Sequence, residues 1–205
     1  MDVTRGRPHL ADKIFEVAVN AYKLRQERLG YHATEAIYCL RKAYWGKTSP
    51  LPPTKMELLY FVLGLGVQDA LTGGLDTPAV AKDGIILSPD YWIDDELAEL
   101  KTTRMSEKML DERGLPEGWI NQVKAYCAAL GKLECLFVII PIIRPDLLTY
   151  VVTFTQEEVD DGWEWLKARM DELRYCVENK EVPTDMGKDF ECKNCRYKMR
   201  CGLEE

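Results

Sequence analysis

The sequence predicts an α/β sandwich, a mixed sheet flanked by helices. Three observations predict it. Helix-period stripes lie towards both ends, apolar strand-like segments occupy the middle, and one helical segment separates two pairs of those strands. The 205 residues, 46% of them hydrophobic, are enough for one such core with a small appendage.

Residues 10–29 carry a stripe of Leu10, Ile14, Val17, Ala21 and Leu24, which predicts an amphipathic helix. Thr34 can cap a helix through about Trp45, with Glu35 in its first turn. The prolines at 50, 52 and 53 mark a turn or linker. A third helix is expected over 55–72, ended by Gly73-Gly74. Residues 80–87 read as a strand, Ser88-Pro89-Asp90 as a turn, and 91–101 as a second strand. Pro116-Glu117-Gly118 introduces a helix to about Leu130, closed by Gly131. Strands are expected over 134–142 and 148–154, with Arg144-Pro145-Asp146 turning between them. Thr155 and Glu158 have capping-box spacing. The long helix after them should bury Val159, Trp163, Leu166, Met170, Leu173 and Val177. The residues after Lys180 hold a cysteine cluster and little regular pattern.

The formal net charge of −7 opposes nucleic-acid binding on its face, because phosphates demand positive charge. A basic groove can nevertheless sit on an acidic body. Cations do cluster, at Arg41-Lys42 and among Lys193, Arg196, Lys198 and Arg200. The longest apolar runs are far too short to cross a bilayer, and the first residues lack a basic-then-apolar leader pattern. The expectation is a cytoplasmic protein without a membrane partner. A homo-oligomer is compatible with the sequence.

The chemistry centres on Asp83 and on Glu99-Leu100-Lys101. Residues two apart on a strand share a face, so Glu99 and Lys101 project together, and a paired strand can bring Asp83 beside them. Two carboxylates on apolar strands make a hard oxygen site for Mg²⁺ or Mn²⁺, with the Leu100 carbonyl as a further ligand. Burying such charges is costly unless they are paired or bind metal. The ion would polarise a phosphate and lower the pKa of a bound water, while Lys101 orients that water or offsets phosphate charge. Gln122 and Tyr126, four apart, share a helix face and can hydrogen-bond to phosphate or to Lys101.

Seven cysteines without a leader pattern do not look like a disulfide framework. Cys192, Cys195 and Cys201 form a compact triple, and Cys39, among basic neighbours, is the best fourth ligand. A lone cysteine joined to a distant triple allows an iron–sulfur cluster, of two or four irons, and does not exclude zinc. Cys127, Cys135 and Cys176 fall on apolar faces or element ends and read as inert core residues.

These residues together resemble the CRISPR-associated RecB-like exonucleases of the adaptation machinery, the fourth Cas family, within the PD-(D/E)xK superfamily. The resemblance runs from about Tyr31 to Cys201. It rests on residues 31–42, on Asp83, on Glu99-Leu100-Lys101, on Gln122 and Tyr126, and on the four cysteines. It implies a RecB-like nuclease core (55–180), preceded by N-terminal helices carrying the first cysteine (1–54) and followed by a cysteine-cluster segment (181–205) packed on an N-terminal helix. It implies a divalent-metal exonuclease acting on DNA, often single-stranded, with an iron–sulfur cluster on Cys39, Cys192, Cys195 and Cys201. The implied setting is trimming of DNA for new CRISPR spacers, with the integrase proteins as partners. Where the family carries a histidine metal ligand before the sheet, this chain has Gln68, a weaker donor than imidazole toward Mn²⁺. His9 and His32, the only histidines, read as structural or surface. A catalytically weak, cluster-bearing DNA-binding subunit of the same complex is the alternative expectation.

Overall fold

The computed structural model describes residues 29–74, 77–93 and 95–202, together with 13, 15–17 and 20. Most of the helix expected over 10–29, and His9, lie outside the described residues. The remaining elements assemble as mixed sheets flanked by helices.

The single helix expected over 34–45 is two helices, α1 (Ala33–Ile37) and α2 (Leu40–Thr48). The chain leaves helical geometry at Cys39 (φ −69°, ψ 113°), which becomes the residue before α2. Two carbonyls near the break find another donor. The Arg169 guanidinium gives hydrogen bonds to Ala36 O at 2.6 Å and Tyr38 O at 2.8 Å. Helix α3 (Lys55–Thr72) matches its expected span. Thr54 and Glu57 form a capping box at its start, and Gly73 at φ +65° ends it.

Two expected strands are each folded back on themselves. Residues 80–87 form a hairpin, β2 (Val80–Lys82) and β3 (Ile85–Leu87), with Lys82 opposite Ile85. Asp83 (φ +51°) and Gly84 (φ +71°) make the turn, the Asp-Gly pair that positive φ at both positions favours. Likewise, residues 91–101 split into β4 (Tyr91–Ile93) and β5 (Glu96–Thr103), the chain reversing at Asp95 (φ +68°).

A short helix α4 (Glu107–Arg113), not anticipated, follows β5. Ser106 caps it by accepting from Met109 N, and Gly114 stops it. Helix α5 (Glu117–Leu130) then leads to β6 (Glu134–Pro141) and β7 (Leu148–Thr153). The Thr155 capping box starts α6 (Gln156–Asn179) as expected. The cysteine segment holds α7 (Asp189–Lys193) and a 3-10 turn (Lys198–Cys201).

The one expected sheet is two. Strand β1 (Tyr31–His32) pairs parallel to β3, which pairs antiparallel to β2. The larger sheet has the order β4-β5-β6-β7, with β5 and β6 parallel and both edges antiparallel. A parallel pair needs a long crossover, and α4 and α5 supply it. Strand β6 is buried along most of its length, as a strand covered on both faces must be. Phe137 and Ile139 from β6 meet Val123 of α5 and Trp163, Leu166, Met170 and Leu173 of α6 in the core. Among the described residues, no helix is long and apolar enough to cross a membrane.

Candidate active site

A cavity of about 290 Å³ opens between α3, the two sheets and α5. Glu99, Leu100 and Lys101 of β5, Gln122 and Tyr126 of α5, and Gln68 of α3 all line it. Strand alternation puts Glu99 and Lys101 side by side, and their side chains form an ion pair. Lys101 Nζ also donates to Gln122 Oε1 at 2.9 Å. Gln122 Nε2 donates to Tyr126 Oη at 2.7 Å, and the Tyr126 hydroxyl donates to Ser88 O at 2.9 Å. Four side chains and one carbonyl thus form a continuous chain of hydrogen bonds that fixes the lysine.

The structure does not bring Asp83 to this cavity. Asp83 sits in the exposed β2–β3 turn, where its Oδ2 accepts from Trp163 Nε1 at 2.9 Å. The carboxylate beside Glu99 belongs to Asp90, which the sequence reading placed in a turn. Asp90 Oδ2 accepts from the Leu100 N–H at 2.9 Å, and its Oδ1 accepts from Gln68 Nε2 at 3.2 Å. Its own carbonyl accepts from Thr77 Oγ1 at 3.0 Å. The signal that could have found it is Pro89-Asp90, a carboxylate just ahead of the strand that bears Glu99 and Lys101. Gln68 does reach the cavity, with its amide nitrogen turned to Asp90. His32 also lines the cavity, while its backbone N–H donates to Glu35 Oε2 at 2.8 Å in the capping box of α1.

The electrostatics follow from burial. Glu99 is 1% exposed. Desolvation drives its pKa from 4.5 up to about 8, against the pull of Lys101 and with a further push from the nearby Asp90 charge. Asp90 is raised as well, by burial first, while Lys101 and the Leu100 N–H oppose the rise. Burial disfavours the Lys101 ammonium, but Glu99, Tyr38 and Asp90 outweigh it and keep its pKa above the ordinary value. Without a metal ion, the carboxylate pair therefore holds a proton at neutral pH while Lys101 stays charged. Glu99 Oε2 is buried with no hydrogen-bond donor other than a proton shared with Asp90. A buried oxygen with no other donor, facing a second carboxylate, fits a divalent cation.

At the cysteine segment, the Gly187 N–H donates to Cys39 Sγ at 3.2 Å. Cys192 Sγ contacts Gly187 O at 3.7 Å. Cys192 is close enough to Cys39, Cys195 and Cys201 for their charges to raise its pKa, after burial, which raises it most. Gly187 has no room for a side chain, since a Cβ there would lie 2.8 Å from Cys39 Cβ. Cys127, Cys135 and Cys176 are buried apart from this group, and burial raises all three thiols. Among the described residues, no group of three or more His, Cys, Asp or Glu side chains is placed to hold a metal ion.

Solved structures share this architecture. One, described as the crystal structure of SSO0001, superposes with a TM-score of 0.57 over 94% of this chain and 96% of its own, at 16% identity. A second is an alkaline exonuclease from Laribacter hongkongensis. It gives a TM-score of 0.52 at 16% identity, covering 80% of this chain and 95% of its own. The chain has their fold. No protein-family model matches the sequence, and no curated protein matches it.

Proposed function

We propose that this chain is a divalent-metal-dependent deoxyribonuclease of the RecB-like PD-(D/E)xK kind, cutting DNA from ends. One observation carries the reading: Asp90, Glu99 and Lys101 converge in one cavity, with a buried Glu99 oxygen that only a proton shared with Asp90 satisfies. The fold shared with an alkaline exonuclease supports it.

Asp90, Glu99 and the Leu100 carbonyl would hold Mg²⁺ or Mn²⁺. When bound, the ion supplies Lewis-acid polarisation of a phosphate oxygen and an acidified water. Lys101 supplies a fixed positive charge for the phosphate, which gains negative charge in the transition state. Gln122 and Tyr126 hold Lys101 in one orientation, so little reorganisation is needed when the phosphate arrives. Asp90 also fixes the β5 backbone at Leu100 through its N–H.

Cys39, Cys192, Cys195 and Cys201 would hold an iron–sulfur cluster. Four Cys thiolates are the ligand set such clusters take. Support for the reading comes from Cys39 and Cys192, which both meet Gly187, and from the nearness of Cys195 and Cys201 to Cys192. The Gly187 N–H on Cys39 Sγ is the kind of hydrogen bond that tunes such a centre. The resemblance places the activity in CRISPR spacer acquisition, with DNA and the integrase proteins as partners.

The Gln68 amide pinned on Asp90 favours a second reading, a cluster-bearing DNA-binding subunit with weak catalysis, because Gln68 occupies the slot of a stronger ligand. Cleavage of end-labelled single- and double-stranded DNA separates the two. The expected result is cutting with Mg²⁺ or Mn²⁺, none with chelator, and none by a folded Lys101→Ala variant. A folded protein that binds DNA and never cuts it would overturn the nuclease reading.

A further inference from the structure

A second cavity, of about 440 Å³, lies at the far end of β5 and β6. It lies next along the same two strands as the candidate active site. On β5, residues through Thr102 line the first cavity and Arg104 begins the second; on β6, Ile140 lines the first and Pro141 the second. Lys101 and Arg104 are three residues apart along an extended chain, about 10 Å. The second cavity is therefore within reach of a strand of DNA that passes the catalytic lysine.

Its cations are Arg104, Lys108 and Arg144. Among the described residues, neither Arg104 nor Arg144 has an ion-pair or hydrogen-bond partner. Both are exposed. Lys108 lies 3.6 Å from Glu112 in a highly exposed pair, which costs little to break. The acidic residues of the wall are less able to neutralise the guanidinium groups. Asp146 accepts the N–H of Leu147 at 2.8 Å, and Glu107 sits in the first turn of α4, where the helix dipole favours it. Ile143, 66% exposed, gives the cavity an apolar lip.

We infer that this cavity is a phosphate-backbone site for the DNA strand adjoining the cleaved bond, with Arg104 and Arg144 each neutralising one phosphate. Planar guanidinium groups without protein partners suit phosphate oxygens. The apolar lip suits a sugar or base edge. The site also shows how an acidic chain engages a polyanion: the field that matters is local to the groove. The inference rests on the nuclease reading for the kind of polymer that enters, and its position follows from the successive stretches of β5 and β6 that line the two cavities.

The test is the salt dependence of binding of a fluorescein-labelled single-stranded oligonucleotide, measured as anisotropy with Ca²⁺ present. Wild type is compared with Arg104→Ala/Arg144→Ala and with Arg104→Lys/Arg144→Lys, each checked for folding by circular dichroism. Losing two phosphate contacts should lower the slope of log K against log salt by about 1.4, at about 0.7 per phosphate on a single strand. The lysine variant should restore most of the slope, since charge carries it. An unchanged slope and affinity in the folded alanine variant would overturn the inference, as would a wild type that does not bind. The nuclease reading fails separately: if wild type binds with the expected slope and never cuts, the cleft stands and the catalytic assignment falls. If it cuts DNA but the alanine variant binds equally well, the reverse holds.

Discussion

Glu99→Gln should make the metal-free protein more stable while abolishing cleavage. The magnitude follows from the position of Glu99. The carboxyl is buried, and its pKa is raised from 4.5 to about 8. In the unfolded chain at pH 7 it is ionised; in the fold it is mostly protonated. Folding must therefore take up a proton against the solution, at about 1.4 kcal/mol for each pH unit above 4.5. At pH 7 that amounts to about 3 kcal/mol, which a glutamine of the same shape does not incur. The sign is checked at the extremes. Below pH 4.5 both states are protonated and the variant gains nothing. The gain grows through pH 8 and levels off near about 5 kcal/mol above it. Chemical denaturation in chelator at pH 4.5, 7 and 9 measures it, and at neutral pH the melting temperature should rise by roughly 6–12 °C. Saturating Mn²⁺ should stabilise the wild type and leave the variant little changed, since an ion that binds only the fold adds to its stability. A variant equal to or less stable than wild type at pH 7 would refute the reasoning, because Glu99 would then enter the fold ionised and satisfied by Lys101.

Other outcomes follow from the same geometry. Asp90→Asn should lower cleavage by about a hundredfold or more, through loss of a cation ligand that also orients the β5 backbone. Asp83→Asn should keep cleavage, because asparagine tolerates φ +51° and still accepts from Trp163, with stability changed by less than about 1 kcal/mol. Uptake of a divalent ion at pH 7 should release close to one proton and at pH 9 almost none, as read by calorimetry in buffers of different ionisation enthalpy. Gly187→Ala should reduce iron bound per chain, measured on protein prepared without oxygen, because the new methyl would press on Cys39 Cβ at 2.8 Å and Glu191 Oε2 at 2.9 Å.

What the sequence revealed of the site was the part governed by short-range periodicity. Glu99 and Lys101 share a face because strand residues alternate, and Gln122 and Tyr126 do so because helix residues repeat every three or four positions. Asp83 and Asp90 depend on chain reversals, which periodicity does not report. The apolar run Ile85-Ile86-Leu87 made residues 80–87 look like one strand. Asp83-Gly84 folds it into a hairpin instead and carries Asp83 out to Trp163. The same kind of reversal at Asp95 brings β4 back alongside β5 and leaves Asp90 against the Leu100 N–H. The break at Tyr38 and Cys39 was invisible for another reason: the donor that stabilises it, Arg169, lies more than 130 positions away. The ends of α3, α5 and α6 were readable because their signals, the Thr155 box and the terminal glycines, are local.

The contact between Cys39 and Gly187 spans 148 positions of the chain. A ribosome adding about 5–20 residues per second leaves Cys39 waiting roughly 7–30 s before Gly187 has even been made. For most of that interval α1 and α2 also lack Arg169, which later takes the carbonyls at their junction. The Cys39–Gly187 contact therefore cannot form until synthesis has moved 148 residues past Cys39, and a site that draws on all four cysteines would depend on how well that early thiol stays reduced in the interval.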